Sequence, residues 1–179
     1  MARNATMLHF DIDLSDVDRN IYQRLCFKAA QHPSENTPYL IARIIAYALE
    51  FEEGLSFTRG LSSTDEPALW VKDLTGQLRT WIEVGTPSGE RLHKASKAAD
   101  HVIVYCHKDP NTWLPQLKVK DIYKPETITL IGLPPKDVET LANQVERRNI
   151  WQLSRIDDVV YCAIDDATYT LEIDRLAWH

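Results

Sequence analysis

The chain has 179 residues, of which 44 % are apolar and 26 % charged, and carries a formal net charge of −6. That length builds one core without disulfide or metal staples, and those fractions exclude a disordered chain. The acidic balance rules out a protein that coats nucleic acid with its whole surface, so any phosphate contact needs a local basic patch or bound cations.

Cys26, Cys106 and Cys162 contain no Cys-x-x-Cys pair, which argues against a structural zinc site. Cys26 and Cys106 lie in apolar runs and are expected to be buried, reduced thiols, as suits the cytosol. The first residues alternate polar and apolar instead of showing a basic then apolar leader. No stretch has the apolar length of a membrane span. These features lead to the expectation of one cytoplasmic domain over residues 1–179 with no membrane attachment. With no heptad seam and no surplus apolar helix face, the expected state is a monomer.

In chain order, residues 6–14 set Leu8, Phe10, Ile12 and Leu14 against Met7, His9, Asp11 and Asp13, the period of a half-buried strand. A helix is predicted over 19–31, because Ile21, Leu25, Cys26 and Ala29 recur at helical spacing. A longer helix, capped by Ser34 or Thr37 and with Pro38 in its first turn, is predicted to reach Glu53, with Gly54 as its stop. Leu40, Ile41, Ile44, Ile45 and Ala48 form its buried stripe. Arg43 points off that stripe and is expected on the surface near Tyr47 and Glu50.

Runs 69–72 and 78–84 flank the turn signal Asp73-Leu74-Thr75-Gly76 and read as a β-hairpin. A helix over 90–99 and a strand over 101–106 follow, a strand–helix–strand order that predicts a parallel crossover. A short helix over 112–119, a strand over 127–131, a helix over 135–147 and strands at 151–155, 159–164 and 168–173 complete the chain. The expected class is α/β, with one mixed central sheet flanked by helices.

The chemistry concentrates around the hairpin. Asp65 and Glu66 precede its first strand and Glu83 ends its second, so antiparallel pairing brings the three carboxylates toward one rim. Two or three carboxylates at a strand end suit Mg²⁺ or Mn²⁺, which take oxygen ligands, better than zinc, for which imidazole and thiolate are missing. An arbitrary Asp-Glu pair is more often a solvated turn; Glu83 stands out because it sits inside the apolar strand Trp81-Ile82-Glu83-Val84, where a lone charge is costly. Lys94 lies at the edge of the following helix's apolar face, so its ammonium can reach the sheet end, either as a plain salt bridge or to steady a phosphate. Arg59 is balanced between a phosphate contact and a structural pair with Glu66 or Glu83. The histidines have no metal-ligand spacing, the tryptophans do not interleave with basic residues, and no glycine-rich phosphate loop occurs.

The stretches His32-Pro33-Ser34-Glu35, Phe57-Thr58-Arg59-Gly60-Leu61, Asp65-Glu66-Pro67 with Trp70, and Trp81-Ile82-Glu83-Val84-Gly85, with the closing 170–178 run, resemble the YaeQ family over nearly the whole chain. The resemblance implies a variant of the PD-(D/E)XK nuclease core. Glu83 then stands in the second-acid position, Asp65 or Glu66 replaces the first acid, and Glu35 is the candidate helix acid. The sequence departs from that pattern at Ala68, where an aspartate is expected, and at Gly85, where the lysine is expected; Lys94 is the candidate migrated lysine. Two functions follow as expectations. One is a Mg²⁺- or Mn²⁺-dependent phosphodiesterase acting on nucleic acid, with Glu35, Asp65, Glu66 and Glu83 as metal ligands and Lys94 and Arg59 assisting. The other is an inactive nuclease-fold protein that binds nucleic acid or a transcription-related protein, with Arg59 and Lys94 neutralising the acids.

Overall fold

The computed structural model describes residues 4–59 and 64–178. The chain opens with a long antiparallel hairpin, β1 (Thr6–Asp16) and β2 (Ile21–Gln31). Its turn is closed by Asp16, which accepts from the Arg19 amide, and by Asn20 at φ +56. The helix expected over 19–31 is therefore a strand. Ile21, Leu25 and Ala29, spaced by four, fit an alternating period as well as a helical one, and pairing with β1 decides between them.

Alternation also corrects Cys26. It faces solvent beside Asp11, opposite to Leu25, whereas Cys106 and Cys162 are buried. Burial pushes the Cys162 thiol up to about 12 and raises Cys106 as well. In the native protein one thiol, Cys26, is expected to react quickly with an aromatic disulfide reagent. Cys26→Ser should abolish that fast phase, and a second fast equivalent in the variant would contradict the placement.

β1 also pairs in parallel with β8 (Arg148–Ile156), which continues antiparallel through β9 (Val159–Ile164) to β10 (Ala167–Glu172). These strands form a five-stranded sheet ordered β10-β9-β8-β1-β2. The second sheet is six-stranded and combines β3 (Leu55–Phe57), β4 (Leu69–Lys72), β5 (Leu78–Val84), β6 (His101–Cys106), β7 (Ile128–Gly132) and β11 (Asp174–Leu176). Two mixed sheets thus replace the single central sheet expected.

Helix α1 (Thr37–Leu49) lies between the sheets. Asn36 caps it by accepting from the Tyr39 amide, and Pro38 sits in its first turn. Its apolar residues are buried on more than one face, Ala42 and Ala46 included, because it meets Leu8, Phe10 and Ile12 of one sheet and Leu69, Ile82 and Tyr105 of the other. It ends four residues before Glu53, the last residue expected for it. The Arg19 guanidinium takes the carbonyls of Ala48 and Phe51 there, satisfying the helix end from the β1–β2 turn. Gly54 then turns the chain into β3 at φ +89, where a Cβ would lie 2.1 Å from the Lys72 carbonyl oxygen, so only glycine fits.

The outer face of the six-stranded sheet is covered by α2 (Gly89–Ala98), whose Ser88 cap accepts from the Arg91 amide, and by the connection after β6. That connection holds the short helix α3 (Pro110–Trp113) and three tight turns at Leu114–Gln116, Val119–Asp121 and Pro125–Thr127. Trp81, Val102, Val104, Leu92 and Ala95 pack in this second core, apart from the main one. β5, α2 and β6 make the parallel crossover the sequence predicted. Helix α4 (Pro135–Ala142), shorter than expected, adds Val138 and Leu141 to the main core beside α1. No helix among the described residues is long and apolar enough to cross a membrane.

Candidate functional site

β5 alternates so that Ile82 and Val84 face α1 while Trp81 and Glu83 face α2. Glu83 is only 6 % exposed. Its Oε1 accepts from Trp81 Nε1 at 2.7 Å and from Arg91 Nε at 2.7 Å. Burial pushes its carboxyl up, and the Arg91 charge together with these two donors pulls it back. Arg91 Nη1 and Nη2 donate to the carbonyls of Thr64 at 2.7 Å and Glu66 at 2.8 Å, so one guanidinium ties the acid of β5 to the segment before β4.

The other expected site residues pair separately. Lys94 Nζ lies 2.7 Å from Asp65 Oδ1, with both groups well exposed, and the ammonium holds the Asp65 carboxyl below the usual range. Arg59 binds Glu66 through its amide at 3.1 Å and its guanidinium at 3.5 Å; Gly60 and Leu61 of the same motif lie outside the described residues. Glu35 precedes α1 and is buried against Arg43, with Oε1 2.9 Å from Nε and 2.6 Å from Nη2. Arg43 is therefore interior, not on the surface near Glu50, and its guanidinium also donates to Ala30 O.

The structure brings Glu66 and Glu83 onto one cleft of about 280 Å³, lined also by Tyr39, Thr64, Thr86, Pro87 and Arg91. Asp65, Lys94 and Glu35 do not line it. Tyr39 closes one wall, its phenol raised to about 12 by burial. Behind it, edge-on at a ring separation of 6.0 Å, His107 is buried and pushed down to about 4 by desolvation and the charge of Lys108. Its imidazole is neutral at neutral pH. Sequence reasoning missed Arg91, Tyr39 and His107. Arg91 lies three positions before Lys94 on the same helix side, nearer the end of β5, but that spacing alone does not name its partner.

In this arrangement the donor set does not suit Mg²⁺ or Mn²⁺. Each expected carboxylate already faces a cation, and no three His, Cys, Asp or Glu side chains among the described residues are placed to hold an ion.

The fold and cleft define a class: an α/β protein of two mixed sheets with a buried helix between them and an ion-paired cleft beside the end of β5. Within that class the chain belongs to the YaeQ family, whose model, described as YaeQ protein, matches residues 1–173. It is 29 % identical to a Salmonella typhi protein named "Uncharacterized protein YaeQ" over 99 % of this chain and 98 % of that protein. The Escherichia coli K12 protein of the same name is 27 % identical over the same shares. The crystal structure of YaeQ protein from Pseudomonas syringae superposes with a TM-score of 0.91 at 29 % identity, covering 98 % of this chain and 97 % of that one. That of YaeQ protein from Xanthomonas axonopodis pv. citri gives 0.86 at 29 % identity, covering 98 % and 99 %.

Proposed function

We propose that this chain is a nuclease-type scaffold, PD-(D/E)XK-like, that binds nucleic acid or a transcription-related partner in the cytoplasm without hydrolysing a phosphodiester. The element order α1-β3-β4-β5-α2-β6, with a helix on each face of the sheet, supports the scaffold. The observation that carries the non-hydrolytic reading is the Glu83–Arg91 pair. The carboxylate that would ligate a metal has one oxygen shared between a guanidinium and an indole, and that guanidinium is itself fixed by two carbonyls. Freeing Glu83 means breaking the pair of a buried carboxylate with a partly buried arginine, and losing a partner from a buried pair costs up to about 3–5 kcal/mol.

The second reading is a Mg²⁺- or Mn²⁺-dependent phosphodiesterase, and it is favoured by Glu66 and Glu83 lining one cleft. One experiment separates the two. The purified protein is incubated with Mn²⁺ and single- and double-stranded DNA and RNA, beside Glu83→Gln, while calorimetry follows Mn²⁺ binding. The non-hydrolytic reading predicts neither cleavage above background nor saturable Mn²⁺ uptake. Cleavage that needs metal and disappears in Glu83→Gln would overturn it.

A further inference from the structure

A second surface, on the far side of α2 from the cleft, has a different chemistry. Six of the nine lysines of this acidic chain fall between residues 94 and 124, on α2 and the connection packed against it. Against three aspartates they leave that stretch at +3, while the whole chain stands at −6. In their midst Tyr123 is 40 % exposed, one of few large rings so exposed among the described residues. Lys97 Nζ lies 6.0 Å and Lys124 Nζ 5.3 Å from the centre of its ring.

The ring is held in place. His93 meets it edge-on at 6.5 Å, and His93 Nδ1 accepts from the Tyr123 amide at 3.2 Å. Lys124 adopts φ +42, a left-handed conformation that glycine or asparagine would take more easily. The Lys124 ammonium sits beside the ring. Lys118 and Lys120 are exposed on the same connection, and Lys118 and His93 line an adjoining cavity of about 420 Å³. The nearby acids are Glu90 and Asp121, which line that cavity, Glu126, two residues beyond Lys124, and Asp100, which is taken by Arg79.

An exposed ring flanked by ammoniums matches two features of an unpaired nucleotide, a flat base and a phosphate on either side. A duplex hides its base faces, and an acidic polypeptide does not place a flat ring between two charges at every repeat, as a single strand does. We propose that this face binds single-stranded nucleic acid, with a base stacked on Tyr123 and the flanking phosphates held by Lys97 and Lys124. The inference uses none of the cleft residues and stands whichever reading of the cleft is correct.

The test is fluorescence anisotropy of the whole protein with labelled oligothymidylate and oligouridylate at about 50 and 200 mM salt. Saturable binding that weakens with salt is expected. Tyr123→Phe should bind as the parent does, and Tyr123→Leu should bind on the order of tenfold more weakly. The double variant Lys97→Gln, Lys124→Asn should reduce the salt dependence by about two phosphate contacts. It keeps the test decisive if Tyr123→Leu fails to fold by circular dichroism. Lack of saturable binding at the lower salt would overturn the proposal, as would equal binding by Tyr123→Leu and Tyr123→Phe. Competition by polyglutamate as effective as by oligothymidylate would overturn it in favour of an acidic polypeptide.

Discussion

Arg43→Met is expected to destabilise the fold by about 3–5 kcal/mol, the usual cost of leaving one member of a buried ion pair alone. The Arg43 and Glu35 side chains are 4 % and 3 % exposed; Glu35 stands in the junction where β2 gives way to α1, and Arg43 reaches it from the middle of the helix. The guanidinium reaches Glu35 and the Ala30 carbonyl, and it lies 6.0 Å from the Tyr39 ring and 5.6 Å from the Phe57 ring. The Glu35 carboxylate also takes the His32 amide at 3.3 Å. One pair thus staples the end of β2 and the connecting turn to the middle of α1. At roughly 2–4 °C per kcal/mol for a domain of this size, the melting temperature should fall by about 10 °C. The double variant Glu35→Gln, Arg43→Met removes both charges and should recover most of the loss. If the double variant were as unstable as the single one, lost packing and not a stranded charge would be the cause.

Arg91→Met is expected to cost about 3 kcal/mol at pH 8 and much less at pH 5. The sign follows from Glu83. Burial already raises its carboxyl above the ordinary glutamate range, against the pull of Arg91. Without the arginine that pull is gone, and the folded-state pKa rises further. Between the unfolded and the folded pKa the native state binds more protons than the unfolded chain, so stability falls as pH climbs through that window. Lowering the pH favours the neutral carboxyl that the folded variant can bury, whereas raising it forces the variant to bury a charge or unfold. Urea denaturation at the two pH values measures the difference directly. An equal loss at both would mean that Glu83 is solvated in the variant and that the pair does not define the cleft. Arg91→Met also frees the carbonyls of Thr64 and Glu66, so the segment before β4 should exchange its amides faster.

Much of the candidate site was legible because it rests on local pattern. The hairpin of β4 and β5 was marked by alternation and by the Asp73–Gly76 turn, and its pairing carries Ala68, just after Asp65 and Glu66, to the Ile82 carbonyl beside Glu83. The reach of Lys94 followed from its place at the edge of an apolar face, and it meets Asp65. Partners were harder to read. Arg59 turned to Glu66, one of the alternatives the sequence left open. Arg43 was misplaced because the stripe Leu40, Ile41, Ile44, Ile45 suggests a helix with one wet side, whereas α1 is covered by both sheets. Arg91 was overlooked because nothing local distinguishes an arginine that will meet an acid eight residues earlier from one that will meet water.

The α/β class, most strands and the parallel crossover of β5 and β6 could be read from the chain alone, since these follow from side-chain period and turn chemistry within a few residues. Only the tertiary structure decided that residues 21–31 form a strand, that two sheets enclose α1, and that Glu83 is neutralised by Arg91. The physical reason is common to all three. A short apolar pattern fits more than one period, and the environment of a charge is set by what packs over it, so both are settled by partners distant in the chain.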